Sequence, residues 1–171
     1  MVMHIDDIKA LSKRAHDDTE VRERLFRTMF SSEGKEASNA AWALTHLPPS
    51  DNEYIAAHRE ALVHLALCTP NTSLRRLSMV LLERLEWGID DVYTELLDFC
   101  LEHMILPDEP YGVKALCIKL AYQQCRHYPE LKAELRQVLL LMEHTEMGPG
   151  LRNARKKILE MIDAAPKDAY T

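Results

Sequence analysis

The chain has 171 residues, of which 47% are hydrophobic and 28% charged, a composition typical of a folded protein and too apolar for a disordered one. Its net charge of -6 argues against a protein that binds nucleic acid over its whole surface. It contains no run of about 18 apolar residues, and its first segment, MVMHIDDIKA, lacks the basic and apolar stretches of a secretory signal. We therefore expect a cytoplasmic protein with a single domain over 1–171.

Apolar residues recur with a helical period of 3.6 between short segments that contain proline or glycine. Leucine and alanine far outnumber valine and isoleucine, which favours helices over strands. The pattern predicts nine helices, over 5–15, 18–30, 35–47, 52–68, 72–86, 90–105, 110–127, 129–143 and 149–163. Because the connections are short, we expect neighbouring helices to pack as antiparallel hairpins.

Four of these helices share an internal pattern that recurs every 37 to 39 residues. The segments are ASNAAWAL, LRRLSMVL, VKALCIKL and LRNARKKI, beginning at Ala37, Leu74, Val113 and Leu151. Positions 0, +3, +4 and +7 of each segment form one small or apolar face, which only Arg155 interrupts. Twelve residues before each segment start, in the preceding helix, stand four leucines, Leu25, Leu62, Leu101 and Leu139. A constant spacing within the pair and a variable return to the next pair predict stacked two-helix units.

The second helices resemble those of HEAT repeats, above all in the segments LRRLSMVLLERL, VKALCIKLAY and LRNARKKILEMI. HEAT repeats often carry a basic residue just after the first apolar anchor, and the matching positions here are Ser38, Arg75, Lys114 and Arg152. The resemblance implies an all-α, right-handed α-solenoid of about four HEAT-like hairpins over 18–163. Residues 1–17 would form an N-terminal capping helix and 164–171 a frayed tail. The resemblance implies no reaction, because HEAT repeats are defined by their scaffold.

Positions +1, +2 and +5 of the second helices point away from the 0, +3, +4, +7 face, and in such a solenoid they line the concave side. Position +5 places three large apolar residues in a row where a solvated face would be polar, and basic residues run beside them. We predict that this concave face binds a partner through Trp42, Arg75, Arg76, Met79, Lys114, Ile118, Arg152 and Lys156.

The second helices carry a net positive charge although the chain as a whole is negative, so the predicted partner is an acidic or amphipathic protein segment. Two other interpretations stay open. In the first, Arg75 and Arg152 pair with acidic residues of adjacent repeat units and bind no partner. In the second, the apolar row is covered by the N-terminal helix or by a second copy of the chain, as in a self-associating structural protein.

A nucleic-acid-binding function is a further alternative. Some DNA-alkylation-repair glycosylases resemble this fold and use a concave basic face with aromatic residues. Here Trp42 and the basic stretch RNARKK at 152–157 would supply such a face.

The sequence contains no H-E-x-x-H, P-loop or G-x-S-x-G motif, so we expect a protein that is not an enzyme and holds no metal or cofactor.

Trp87 precedes Gly88 between two helices and is interpreted as a packing residue. The four cysteines lack metal-ligand spacing and are interpreted as reduced core residues, Cys68, Cys100, Cys117 and Cys125.

Overall fold

The computed structural model describes residues 3–164, and within that range all regular structure is helical. The chain divides into two compact units, one up to Leu85 and one from Glu86 onwards. The first unit contains six α-helices and one 3-10 turn at Pro49–Asp51. The helices are α1 (Ile5–Asp17), α2 (Thr19–Ser31), α3 (Gly34–Thr45), α4 (Asn52–Ala56), α5 (Arg59–Cys68) and α6 (Thr72–Glu83).

The second unit contains four α-helices and a 3-10 turn at Met142–His144. The helices are α7 (Thr94–His103), α8 (Tyr111–Cys125), α9 (Pro129–Leu141) and α10 (Pro149–Ala164). The predicted tail therefore falls outside the described residues, except for Ala164, which ends α10.

The predicted hairpins are confirmed inside each unit. In the first unit α2 packs on α3 and α5 on α6, and the second helices α3 and α6 also pack on each other. In the second unit α7 packs on α8 and α9 on α10, and the second helices α8 and α10 are again in contact. The repeat face is buried at every 0, +3, +4 and +7 position except two half-buried ones, Leu116 and Arg155. Of the first-helix leucines, Leu101 is half-buried and the other three are buried.

Local sequence sets several helix ends. The side chain of Asn71 accepts a hydrogen bond from the amide of Leu74 at 3.1 Å and caps the start of α6. Proline occupies the first position of both α9 and α10, where a missing amide hydrogen costs no helical hydrogen bond. Gly34 begins α3 with a φ of 62°, a left-handed conformation that residues with a side chain rarely adopt.

The N-terminal helix α1 packs on α2 and α3. Its buried side chains are Ile8, Ser12 and Ala15. Arg22 of α2 donates a hydrogen bond to the carbonyl of Ala15 at 3.1 Å, which satisfies a carbonyl in the last turn of α1.

Most predicted helix ends shift by one to three residues, and two predicted helices differ more strongly from the structure. The expected helix over 52–68 is interrupted at residues 57–58, where the ring of His58 stacks on Phe26 with a centroid distance of 4.0 Å. The expected helix over 90–105 begins only at Thr94. Before it, the carboxylate of Asp91 accepts a hydrogen bond from the amide of Gly88 at 2.7 Å, and this local bond favours a turn over a helix.

Candidate functional site

The predicted apolar stripe is wrong at two of its three positions. Met79 on α6 and Ile118 on α8 are both 0% exposed, so neither side chain can meet a partner. The physical reason is that α6 packs on α3 as well as on α5, and α8 packs on α7, α9 and α10. A helix with neighbours on two sides buries a wider arc than the 0, +3, +4, +7 face, and position +5 falls inside that arc.

Trp42 keeps part of its surface exposed, because it is half-buried on α3. Its indole lies 6.4 Å from the ring of His46, and its carbonyl accepts a hydrogen bond from the hydroxyl of Thr45 at 2.6 Å. One half-buried indole does not make an apolar docking row, so the stripe loses its role as a set of anchors.

Two of the three basic residues at position +1 of the second helices bind main-chain carbonyls within their own hairpins. Arg75 donates to the carbonyls of Ala66 at 2.9 Å and Thr69 at 2.6 Å, at the end of α5. Arg152 donates to the carbonyl of Met147 at 3.0 Å, just before α10. Lys114 is only 4% exposed, so its predicted place on an open face is wrong for the same reason as Ile118. Arg75 therefore helps to join the two helices of its hairpin, and Arg152 binds the connection before α10.

Other arginines also stabilise helix ends. Arg155, the residue that interrupts the repeat face, donates to the carbonyl of Leu139 at 2.8 Å, in the last turn of α9. Arg126 at the end of α8 donates to the carbonyl of Trp87 at 2.9 Å. A cation is favourable at a helix C-terminus, where unpaired carbonyls carry partial negative charge. Part of the positive charge of the second helices thus has a structural role.

Arg84 forms a network of such bonds in the first unit. Its guanidinium donates to the carbonyls of Thr45 and Pro48 at 3.2 and 3.1 Å and to the side chain of Asn52 at 2.6 and 3.1 Å. Burial lowers the pKa of Arg84, and the nearby carboxylate of Asp51 partly opposes that shift. The network holds the end of α6 against the segment that follows α3.

The surface that stays open on the second helices includes the predicted position +2 and, in α8 and α10, position +6, which was not predicted. Position +2 is exposed or half-buried in all four helices, and position +6 is exposed in α8 and α10, at Lys119 and Lys157. Lys156 and Arg152 are also exposed on α10. We call these four residues, Lys119, Arg152, Lys156 and Lys157, the α8–α10 basic face. Glu160, an acidic residue, is also exposed on α10, close in sequence to Lys156 and Lys157 of this face.

In the first unit, the matching surface is less basic. Arg76 is exposed at position +2 of α6, as predicted, and Asn39 is half-buried at position +2 of α3. Position +6 holds Ala43 and Val80, neither of which carries a charge. The concentration of lysine at this surface is therefore a feature of the second unit.

Cys68 is exposed, contrary to the interpretation of all four cysteines as core residues. It ends α5, lies 3.7 Å from His64 Nδ1, and lines a cavity of about 560 Å³ together with Phe30, Leu65 and Leu74. Cys100, Cys117 and Cys125 are buried, as expected. Burial raises the pKa of Cys125 to about 12, and the pKa of Cys100 is raised by its hydrogen bond with Cys117 and by burial.

Comparison with known proteins fixes the family. A family model described as HEAT repeat domain matches residues 1–162. The chain belongs to the HEAT-repeat family. The match spans both compact units and agrees with the all-α hairpins described above. No curated protein and no solved structure matches this HEAT-repeat chain.

Membership of the HEAT-repeat family places the chain in the α-solenoid fold class and indicates a scaffold for protein interaction. The family is typically non-enzymatic. Across residues 3–164, no helix is long and apolar enough to span a membrane. The same part of the chain holds no group of three or more His, Cys, Asp or Glu side chains placed to bind a metal ion. Trp87 is buried and packs edge-on against Tyr93, as its interpretation as a packing residue requires.

Proposed function

We propose that this HEAT-repeat domain is a non-enzymatic, cytoplasmic interaction module that binds an acidic protein segment on its α8–α10 basic face. One observation carries the proposal. Three exposed lysines and Arg152 lie on two second helices that pack together, in a chain whose net charge is -6. The free state of all four cysteines supports a reducing compartment.

Charge is the main basis of recognition in this proposal, because two of the three apolar anchors expected from the sequence are fully buried. Exposed lysines in a protein of opposite net charge attract an acidic partner and repel a basic one. They mainly raise the rate of association and select the partner, since each exposed ion pair contributes only about 0–1 kcal/mol. The Nη2 group of Arg152 donates to the Met147 carbonyl, which orients the side chain. The other N–H groups of the guanidinium can donate to a partner carboxylate.

The two alternative functions have less support. Self-association through Trp42, Met79 and Ile118 requires an apolar surface, and two of these three side chains are fully buried. Nucleic-acid binding requires phosphate contacts, and the same lysines would supply them, but Glu160 lies among them and the aromatic Trp42 lies in the other unit. We therefore propose an acidic protein segment as the partner, and the experiment compares its binding with the binding of DNA.

The test is a fluorescence-anisotropy titration with a labelled glutamate-rich peptide and, separately, with a labelled DNA duplex. Lys119→Glu/Lys157→Glu reverses two charges of the α8–α10 basic face. The matched control is Lys35→Glu, which changes an exposed lysine of the first unit. We expect the double variant to weaken peptide binding by roughly 5- to 30-fold and the control to leave it unchanged.

Three results would contradict the proposal. They are an absence of peptide binding at low salt, equal losses in the control and the double variant, and stronger binding to DNA than to peptide. In the last case the affinity for DNA would also fall log-linearly with salt concentration, because a protein that contacts phosphates releases counterions.

A further inference from the structure

A second basic site lies in the first unit, far along the chain from the α8–α10 basic face. A cavity of about 370 Å³ is lined by Lys9, Ser12, Lys13 and His16 of α1 and by His46 and Pro48 from the segment after α3. The four α1 residues have helical spacings of i, i+3, i+4 and i+7, so they share one face of that helix. Two separate elements thus bring two lysines and two histidines to one cavity.

One carboxylate is bonded to a residue that lines this cavity. No carboxylate is among its lining residues. Asp51 is buried, and its carboxylate lies 2.7 Å from Nδ1 of His16, one of the lining residues, so it forms a hydrogen bond with that ring. This contact also fixes the orientation of the imidazole, so His16 positions Asp51 and is not counted among the donors to an anion.

The carbonyl groups that follow α3 would normally repel an anion, because a helix C-terminus carries partial negative charge. Here the guanidinium of Arg84 binds the carbonyls of Thr45 and Pro48. This cation therefore offsets their negative potential beside the cavity.

We propose that this cavity binds the phosphate group of a phosphate monoester. A phosphate dianion presents several acceptor oxygens and needs several donors, and the ammonium groups of Lys9 and Lys13 with an N–H group of His46 supply them from two sides. The volume lies at the small end of ligand cavities, which suits one phosphate group and a short organic part. The phosphate belongs either to a phosphorylated side chain of a protein or to a free small molecule.

Isothermal titration calorimetry of the full chain tests the site. The ligands are inorganic phosphate, glycerol 3-phosphate, and a phosphoserine peptide with its unphosphorylated counterpart. We expect inorganic phosphate to bind, and Lys13→Gln and His46→Gln each to weaken its binding by about tenfold. The control is Lys157→Gln, which changes an exposed lysine of the second unit and is expected to have no effect. Far-UV circular dichroism checks that each variant is folded.

The ligand series identifies the source of the phosphate. Stronger binding of the phosphoserine peptide than of glycerol 3-phosphate would indicate a phosphorylated protein, and the reverse order a small phosphate compound. The proposal is overturned if inorganic phosphate does not bind, if both cavity variants bind it as the wild type does, or if Lys157→Gln causes an equal loss. Because the cavity and the α8–α10 basic face use different residues, either proposal can fail without the other.

Discussion

Replacement of Met79 by alanine distinguishes a core residue from a docking residue. The Met79 side chain is 0% exposed on α6, which packs on α3 and α5. Truncation of a fully buried methionine to alanine costs about 2–5 kcal/mol, because transfer energy is lost and a cavity remains. That is a large part of the roughly 5–15 kcal/mol that stabilises an ordinary domain. We therefore expect a marked loss of stability from Met79→Ala.

The assay is urea unfolding followed by far-UV circular dichroism, with Arg76→Ala as the matched control. Arg76 lies on the same helix but is exposed, and a surface substitution of this kind changes stability by about 0.5 kcal/mol or less. If Met79→Ala unfolds at the same urea concentration as the wild type, the side chain is not packed in the core. The assignment of Met79 to the core, and not to the partner-binding surface, would then be wrong.

The remaining predictions concern contacts that the structure shows directly. Arg75→Ala removes hydrogen bonds to two carbonyls and is expected to lower the free energy of unfolding by about 1–3 kcal/mol in the same urea assay. An unchanged urea midpoint would refute the capping role of Arg75. At pH 8, Ellman's reagent should modify the exposed Cys68 first, and Cys68→Ala should abolish this fast phase; a fast phase that persists in the variant would contradict the burial of the other thiols. Because burial raises the pKa of Cys125 to about 12, its thiol favours folding at neutral pH, and this contribution is lost as the pH rises from about 9 towards 12. Cys125→Ala should therefore show a shallower fall in stability over that range, and an identical slope would refute the assignment.

The sequence was sufficient to predict the hairpins, because their signal is a repeated one. Four second-helix segments carry small or apolar residues at equivalent positions, and chance rarely produces such a match at a constant distance from four leucines. The irregular parts were harder to predict. The interruption at 57–58 involves contacts between His58 and α2 that are distant in sequence, and no proline or glycine marks it.

Two of the three apolar residues at position +5 were wrongly assigned to the open surface, because α6 and α8 each pack on more than one helix of their own unit. Met79 and Ile118 at position +5 are each followed by an apolar residue at +8, Leu82 and Ala121, and all four are buried. Trp42 at the same position is followed by Thr45, and it stays partly exposed. An apolar pair at +5 and +8 therefore indicates a second packing surface, and this signal was present in the sequence.

The roles of the arginines could not be read from the sequence. Arg75 and Arg155 bind carbonyls at the end of the preceding helix, whereas Lys119 and Lys157 are exposed. Nothing in the pattern of charges separates these two groups. Only the position of each side chain relative to the helix ends shows which cations stabilise the fold and which remain available to a partner.

The central claim is that an acidic segment binds where α8 and α10 expose their lysines. The most direct measurement is an amide chemical-shift map of the 15N-labelled full chain during titration with the glutamate-rich peptide. We predict that the largest changes cluster at Lys119, Lys156 and Lys157, and that the amides of α3 and α6 stay unchanged. Changes centred on Trp42 and Arg76 instead would contradict the claim.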